Sequence, residues 1–104
     1  MQSSEKWSEI YLQLLEADKE TALEPKELET LALAAYLTGR DAESLQILER
    51  AHQGYLHRKK TKQAVRCAFW LGFMLMNAGE WARSGGWMAR GERLLSDEEV
   101  PDCA

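Results

Sequence analysis

The chain has 104 residues, of which 45% are hydrophobic, so it can form one folded domain and is not intrinsically disordered. Its formal net charge of −4 argues against a general electrostatic attraction to nucleic acid or anionic lipid. The longest apolar stretch, residues 68–76, is about half of the roughly 20 residues that a transmembrane helix needs, and no apolar signal core follows the N-terminus. We therefore expect a cytoplasmic protein without a membrane partner.

Hydrophobic residues recur at helical spacing along most of the chain, and strand-like alternation is absent. The first predicted helix covers residues 7–19. The second begins at Pro25, because proline is tolerated in a first turn, and ends at Gly39, which can take the left-handed conformation that closes a helix. Asp41 is expected to cap the third helix, which extends to about His57.

Two further helices are predicted in the second half of the chain. Thr61 is expected to cap the fourth, which covers residues 62–78 and ends at Gly79. The fifth covers residues 80–95. The remaining residues, 97–104, are acidic and have no apolar periodicity, so we expect a loose tail there.

The second and third helices match the fourth and fifth at a spacing of 40 residues, from Gly39 to Gly79. Large and small residues recur at equivalent positions around the two glycines. They are Leu28, Leu31, Ala32, Ser44, Leu48 and Ala51 in the first pair and Ala68, Leu71, Gly72, Ser84, Met88 and Gly91 in the second. A repeat of this length, with small residues where helices must approach, is typical of stacked helix hairpins.

This pattern resembles the tetratricopeptide repeat, and residues 23–40 and 86–95 are similar to the helical-repeat regions of bacterial LuxR-type transcription regulators and some adenylate cyclases. The resemblance implies an all-α fold, with about five helices in a right-handed stack of antiparallel hairpins over residues 1–96. In that family the repeats accompany a DNA-binding, cyclase or ATPase module. The chain has neither a phosphate-binding glycine-rich loop nor a further helix pair after Leu95, so we expect no direct binding of nucleic acid.

The resemblance further implies that the first helix of each hairpin lines a concave face on which partner proteins bind. The candidate partner-binding residues are Glu29, Leu33, Tyr36, Arg66, Phe69, Phe73, Met76 and Asn77. Aromatic side chains and methionine form an adaptable surface for an extended peptide or a partner helix. We therefore expect a module for protein–protein interaction, and by the resemblance one that acts in bacterial signalling or transcription control.

Two alternatives follow from the apolar surface residues. Trp7 and Trp87 are candidates for an oligomer contact, and a homodimer formed through the open ends of the stack would need no foreign ligand. Trp87 follows Gly85 and Gly86, whose low helix propensity predicts that either the fourth helix or a further, sixth helix approaches closely there. The second alternative is a sensor domain that binds a small apolar effector in the aromatic groove.

One segment concentrates positive charge, residues 57–60 together with Lys62 and Arg66. Such a patch can bind phosphate or an acidic partner. Cations in a solvated turn after a helix C-terminus explain it equally well.

The residue types that carry catalysis or bind metals are scattered along the chain. His52 and His57 are five residues apart on one predicted helix and therefore lie on different faces. Cys67 lies in an apolar stretch, where we expect a buried thiol, and Cys103 is next to the C-terminus. These spacings match no zinc site and no nucleophile–base pair, so we expect no enzyme, no metal and no cofactor.

Overall fold

The computed structural model describes residues 2–103, with side chains described for residues 6–97, and this part of the chain is helical without a β-strand. The helices are α1 (Gln2–Glu20), α2 (Pro25–Leu37), α3 (Asp41–His57), α4 (Thr61–Asn77) and α5 (Trp81–Cys103). The predicted all-α chain of about five helices is confirmed.

Several helix boundaries differ from the prediction, and the first is that α1 begins at Gln2, five residues before the predicted start at residue 7. Helices α3 and α4 begin at Asp41 and Thr61, so both residues lie inside the first turn, and Lys60 is the N-cap of α4 without a side-chain hydrogen bond. Helix α5 continues to Cys103, past the predicted end at Leu95. Residues 96–100 contain neither glycine nor proline, so no local signal stops the helix there. The predicted acidic tail, 97–104, lies almost wholly outside the residues whose side chains are described.

The chain forms two compact units, residues 1–51 and 52–104, and the division falls within α3. In the first unit α1 packs against α2, and in the second α4 packs against α5. Each unit has its own fully buried leucines, Leu31 in the first and both Leu71 and Leu75 in the second. The apolar faces of these helices therefore supply the core of each unit.

The connections between helices follow one geometry. Gly39 and Gly79 have φ angles of +84° and +82°, in the left-handed region that glycine adopts without strain. The N–H of the next residue donates to a carbonyl oxygen five residues earlier, at 2.7 Å after Gly39 and 2.8 Å after Gly79. The connection between α3 and α4 has the same geometry. The N–H of Lys60 donates to the carbonyl oxygen of Tyr55 at 2.8 Å, and Lys59 before it has a φ of +60° although it is not glycine. The sequence signals that end α2 and α4 therefore act as predicted.

The 40-residue spacing also recurs in a pair of buried hydrogen bonds. The Ser44 hydroxyl donates to the carbonyl oxygen of Ala32 at 2.7 Å, and the Ser84 hydroxyl donates to that of Gly72 at 2.7 Å. A buried hydroxyl needs such a partner, and a small side chain lets the two helices approach closely enough to provide it. Serine at this position is therefore small enough for close helix packing and also donates a hydrogen bond to the neighbouring helix.

The small residues Gly72 and Gly91 lie where α4 and α5 touch. A Cβ atom on Gly72 would lie 2.8 Å from Cε of Met88, and one on Gly91 would lie 2.7 Å from Cε1 of Phe69. Gly85 and Gly86 are different, because a Cβ on either would meet no described atom within 4 Å. The predicted approach of α4 at Gly85 and Gly86 is therefore wrong, and both glycines are exposed on α5. Approach by a further helix stays a prediction.

An ion pair joins α1 to α3 within the first unit. The Asp18 carboxylate accepts hydrogen bonds from Nη1 and Nη2 of Arg50, at 2.9 and 3.0 Å, and from the backbone N–H of Leu23 at 3.2 Å. The hydrogen bonds from Arg50 hold the pKa of Asp18 below its ordinary value. The Asp18 carboxylate therefore fixes both α3 and the chain that follows α1.

We expect Asp18→Asn to lower the free energy of unfolding at pH 7 by about 1 kcal/mol, because it removes a partly exposed bidentate ion pair. Since the pKa of Asp18 is lowered on folding, this stabilisation is complete above about pH 4 and is lost as the pH falls through the folded-state pKa. Urea unfolding of both proteins from neutral to acidic pH measures the difference. Glu16→Gln removes an exposed pair with Lys19 at 3.4 Å and is the control, expected to have almost no effect. A wild-type advantage that stays constant into acid would contradict the assignment.

Candidate functional site

Helix α4 carries more apolar side chains than its unit buries. Its buried residues are Ala64, Val65, Cys67, Ala68, Leu71, Gly72, Met74 and Leu75. Trp70 and Phe73 lie outside this set and are 47% and 43% exposed. A helix that is apolar on most of its surface is normally covered on most sides, so these two exposed rings indicate a surface with a further role.

An open groove of about 590 Å³ lies along this exposed side of the second unit. It is lined by Lys62, Val65, Arg66, Phe69, Trp70 and Phe73 of α4 and by Leu95 of α5. The α4 residues recur at intervals of three and four, which places them on one face of the helix. We call this surface the α4–α5 groove.

The aromatic floor of the groove is held in place by packing. The Phe69 ring lies against Gly91, where any side chain would collide with it. Trp70 and Phe73 meet edge to face, with ring centroids 5.6 Å apart and an interplanar angle of 83°. This arrangement is one that aromatic pairs favour. Contacts within the second unit therefore hold the rings of Phe69, Trp70 and Phe73 in place.

The charged side chains of the described groove lining are both cations. Lys62 and Arg66 lie in the N-terminal half of α4, and the first turn of this helix has no acidic residue. The N-terminus of a helix carries a partial positive charge, which acidic side chains would otherwise offset. Lys59 and Lys60, both exposed, immediately precede the helix. Cations therefore cluster at this end of the groove.

Three of the predicted partner-binding residues line the groove: Arg66, Phe69 and Phe73. Met76 and Asn77 lie on the next turn of α4, half-buried and exposed respectively, outside the described lining. Three of the five residues that we predicted on α4 therefore line the groove, and the binding role of all five stays a prediction.

The other predicted partner-binding residues belong to α2 in the first unit. Leu33 and Tyr36 are exposed, at 43% and 36%, and Glu29 is half-buried. Leu37 is exposed beside them. Leu33, Tyr36 and Leu37 are thus exposed apolar side chains on α2, and the role of the predicted α2 residues in partner binding stays a prediction.

Four groove residues were not among the predicted binding residues: Lys62, Val65, Trp70 and Leu95. Trp70 had a signal in the sequence, because it lies four residues after Arg66 and three before Phe73. No sequence pattern indicated Leu95, because it is the last residue of the predicted fifth helix and has no matching position on α4. Its place in the groove depends on how α5 packs against α4.

The tryptophans predicted to make an oligomer contact are both half-buried. Trp87 meets the imidazole of His52 edge to face, with ring centroids 5.2 Å apart, and the Arg90 guanidinium lies 5.6 Å from the Trp87 ring centroid. Part of the Trp87 ring is therefore engaged inside the second unit. The oligomer contact through Trp7 and Trp87 stays a prediction.

His52 is fully buried and forms a polar link that the sequence did not indicate. Its Nδ1 lies 2.8 Å from the carbonyl oxygen of Ala64, and its Nε2 lies 3.0 Å from Nε of Arg90. Because arginine can only donate, Nε2 accepts this hydrogen bond and Nδ1 carries the proton that Ala64 accepts. His52 thus joins α3, α4 and α5 within the second unit.

The cysteines and the residue types that bind metals were predicted to lie apart. Cys67 is buried, as predicted, and Cys103 lies outside the described side chains. Among residues whose side chains are described, no three of the types His, Cys, Asp and Glu come together as a metal site. In the described part of the chain, no helix combines the length and apolarity that crossing a membrane requires.

The α4–α5 groove is the feature of the second unit that best fits a binding role, because it combines exposed rings, a defined arrangement and a charged end. No family model, no curated protein and no solved structure matches the chain. The geometry of the α4–α5 groove is therefore the basis for proposing a function.

Proposed function

We propose that the chain is a tetratricopeptide-like module for protein–protein interaction, a right-handed stack of antiparallel hairpins, and that a peptide or helix of its partner binds in the α4–α5 groove. The observation that carries the proposal is the exposure of Trp70 and Phe73, at 47% and 43%, beside Phe69 in one groove. Aromatic anchors contribute a large share of the binding energy at protein interfaces. The resemblance to regulator repeats suggests a setting in bacterial signalling or transcription control in the cytoplasm.

The shape of the groove favours a macromolecular partner over a small apolar effector. Sites for small molecules are usually enclosed and cover most of the ligand surface. This groove is open, and its described walls are one face of α4 and a single residue of α5, Leu95. A peptide or helix can bury the exposed rings from one side, as a partner does at a protein interface.

The test compares partner capture by three proteins: wild type, Phe73→Asp and Trp81→Asp. Trp81 is 68% exposed, lies in the same unit and is outside the described groove lining, so it is a matched control. We expect Phe73→Asp to weaken capture of the native partner at least tenfold, because a carboxylate would lose its solvation in an apolar contact. Affinity purification from cells that express the protein, followed by quantitative mass spectrometry, measures the effect.

Two further measurements keep this test decisive. Thermal unfolding followed by circular dichroism checks that Phe73→Asp is folded, and Trp70→Ala replaces it in the capture experiment if it is not. Sedimentation over a concentration series checks self-association. A wild-type dimer that Phe73→Asp converts to a monomer would mean that a second copy fills the groove. Equal capture by all three proteins would refute the proposal.

A further inference from the structure

We propose that His52 is a pH-sensitive switch in the second unit: the neutral imidazole holds Arg90 beside the α4–α5 groove, and the protonated imidazole releases it. We call this contact the His52–Arg90 link. The switch rests on the proposed function for its consequence, because the surface that it regulates is the proposed binding surface. Its existence is measured on the protein alone, without a partner.

The hydrogen bonds of His52 require a neutral ring. His52 is fully buried, its Nδ1 donates to the carbonyl oxygen of Ala64 at 2.8 Å, and its Nε2 accepts from Nε of Arg90 at 3.0 Å. Arginine does not give up its proton in proteins, so the donor of this pair cannot become an acceptor. A proton on Nε2 would bring two N–H groups and two positive charges face to face. Protonation of the imidazole therefore breaks the His52–Arg90 link.

The titratable and charged groups around His52 come from three helices. From α5, Arg90 is the cation in direct contact with the ring. On α4, which has no acidic residue, the buried titratable side chain is the thiol of Cys67. On α3, Tyr55 is buried, and Glu49, three residues before His52, is half-buried. The carboxylates of α5 whose side chains are described are both exposed, Glu92 and Asp97.

These groups set the direction of the pH dependence. Tyrosine and cysteine are ordinarily neutral near pH 6, so Tyr55 and Cys67 place no charge beside the ring. The Glu49 carboxylate favours a charged ring, but both ring nitrogens already have partners in the Ala64 carbonyl and Arg90. Burial and the hydrogen bond from Arg90 both favour the neutral ring. We therefore expect the folded protein to bind this proton below about pH 6.5, where histidine ordinarily titrates.

Arg90 adjoins the part of α5 that shapes the groove. Gly91, the next residue, receives the Phe69 ring, since a Cβ there would lie 2.7 Å from Cε1 of Phe69. Leu95, one turn further along α5, lines the groove. Arg90 is half-buried, so its guanidinium can turn towards water when the imidazole becomes charged. Loss of the His52–Arg90 link therefore frees this stretch of α5 from α3, and we expect the wall of the groove at Leu95 to become more mobile.

The experiment is an NMR titration of the protein without a partner, from about pH 8 to about pH 5. We expect the ring signals of His52, the methyl signals of Leu95 and the indole signal of Trp87 to change with one midpoint below about pH 6.5. Trp87 reports on the switch because its ring centroid lies 5.2 Å from that of His52. Amide exchange of residues 90–95, corrected for its intrinsic pH dependence, should become about tenfold faster. His57, exposed in the last turn of α3, provides a reference titration in the same spectra.

Variants distinguish a switch from a merely buried side chain. Arg90→Met removes the opposing cation and its hydrogen bond, so the midpoint of His52 should rise by about one pH unit. Arg93→Met removes an exposed cation of the same helix and is the matched control, expected to leave the midpoint nearly unchanged. His52→Gln retains a donor and an acceptor but does not titrate, so the signals of Leu95 and Trp87 should lose their shared midpoint. If His52→Gln does not fold, the midpoint in Arg90→Met decides.

The switch would be overturned by any of three results. They are an imidazole that does not titrate before the protein unfolds, Leu95 signals that stay constant while His52 titrates, and a midpoint that Arg90→Met leaves unchanged. None of these results affects the proposed function, which partner capture by wild type and Phe73→Asp at about pH 8 tests while His52 is neutral. Equal capture at that pH would refute the proposed function and leave the NMR test of the switch intact.

Discussion

Replacing Leu71 with alanine is expected to lower the free energy of unfolding by about 3 kcal/mol. Leu71 is fully buried on α4, so the substitution removes apolar contacts and leaves a cavity. Urea unfolding followed by circular dichroism measures the loss. Leu12, which is 57% exposed, provides the control: Leu12→Ala should change stability by less than about 0.5 kcal/mol.

The repeat supplies a second, stricter comparison. Leu31 lies 40 residues before Leu71, at the equivalent position of α2, and is also fully buried. If the two positions are structurally equivalent, Leu31→Ala should produce a loss of similar size in the first unit. A loss below about 1 kcal/mol at Leu71 would show that the site collapses around the smaller side chain, contrary to close packing around this fully buried leucine.

The second large effect is expected at His52. Replacing this residue with alanine should cost about 3 kcal/mol, because it leaves the Ala64 carbonyl and the Arg90 guanidinium without this partner and empties the space beside Trp87. Chemical unfolding gives the stability, and tryptophan fluorescence reports the change near Trp87.

A matched control lies on the same helix. His57 is exposed near the end of α3, so His57→Ala should change stability by a few tenths of a kcal/mol only. His52→Gln retains a donor and an acceptor and should recover part of the loss at His52. Equal effects of His52→Ala and His57→Ala would contradict a structural role for the buried imidazole.

The positions of the helices were largely predictable, because local residues determine where a helix begins and ends. Pro25 begins α2 at its first turn, and Gly39 and Gly79 end α2 and α4 in the left-handed conformation. The end of α5 was predicted less well. We placed the end at Leu95 because the residues that follow are acidic and not apolar. Acidic residues can nevertheless continue a helix, and α5 extends to Cys103.

The candidate site was predictable in part. Arg66, Phe69 and Phe73 were identified from their position in the repeat, and the two phenylalanines also because they are large apolar side chains that hairpin packing does not require. Trp70 follows Phe69 with a rotation of about 100° around the helix, so the sequence alone did not show which of these two rings a neighbouring helix covers. Packing against α5 decides it, because Gly91 receives the Phe69 ring.

By itself, the sequence determined the helical class of this protein, the number of its helices and the 40-residue repeat, since these depend on local propensity and periodicity. The tertiary structure alone decided the groove, the burial of His52 and the exposure of Gly85 and Gly86. Exposure depends on which side chains from distant parts of the chain cover a surface. Residues such as Leu95 and Arg90 reach their partners only when α5 lies against its neighbours, and helical periodicity does not contain that information.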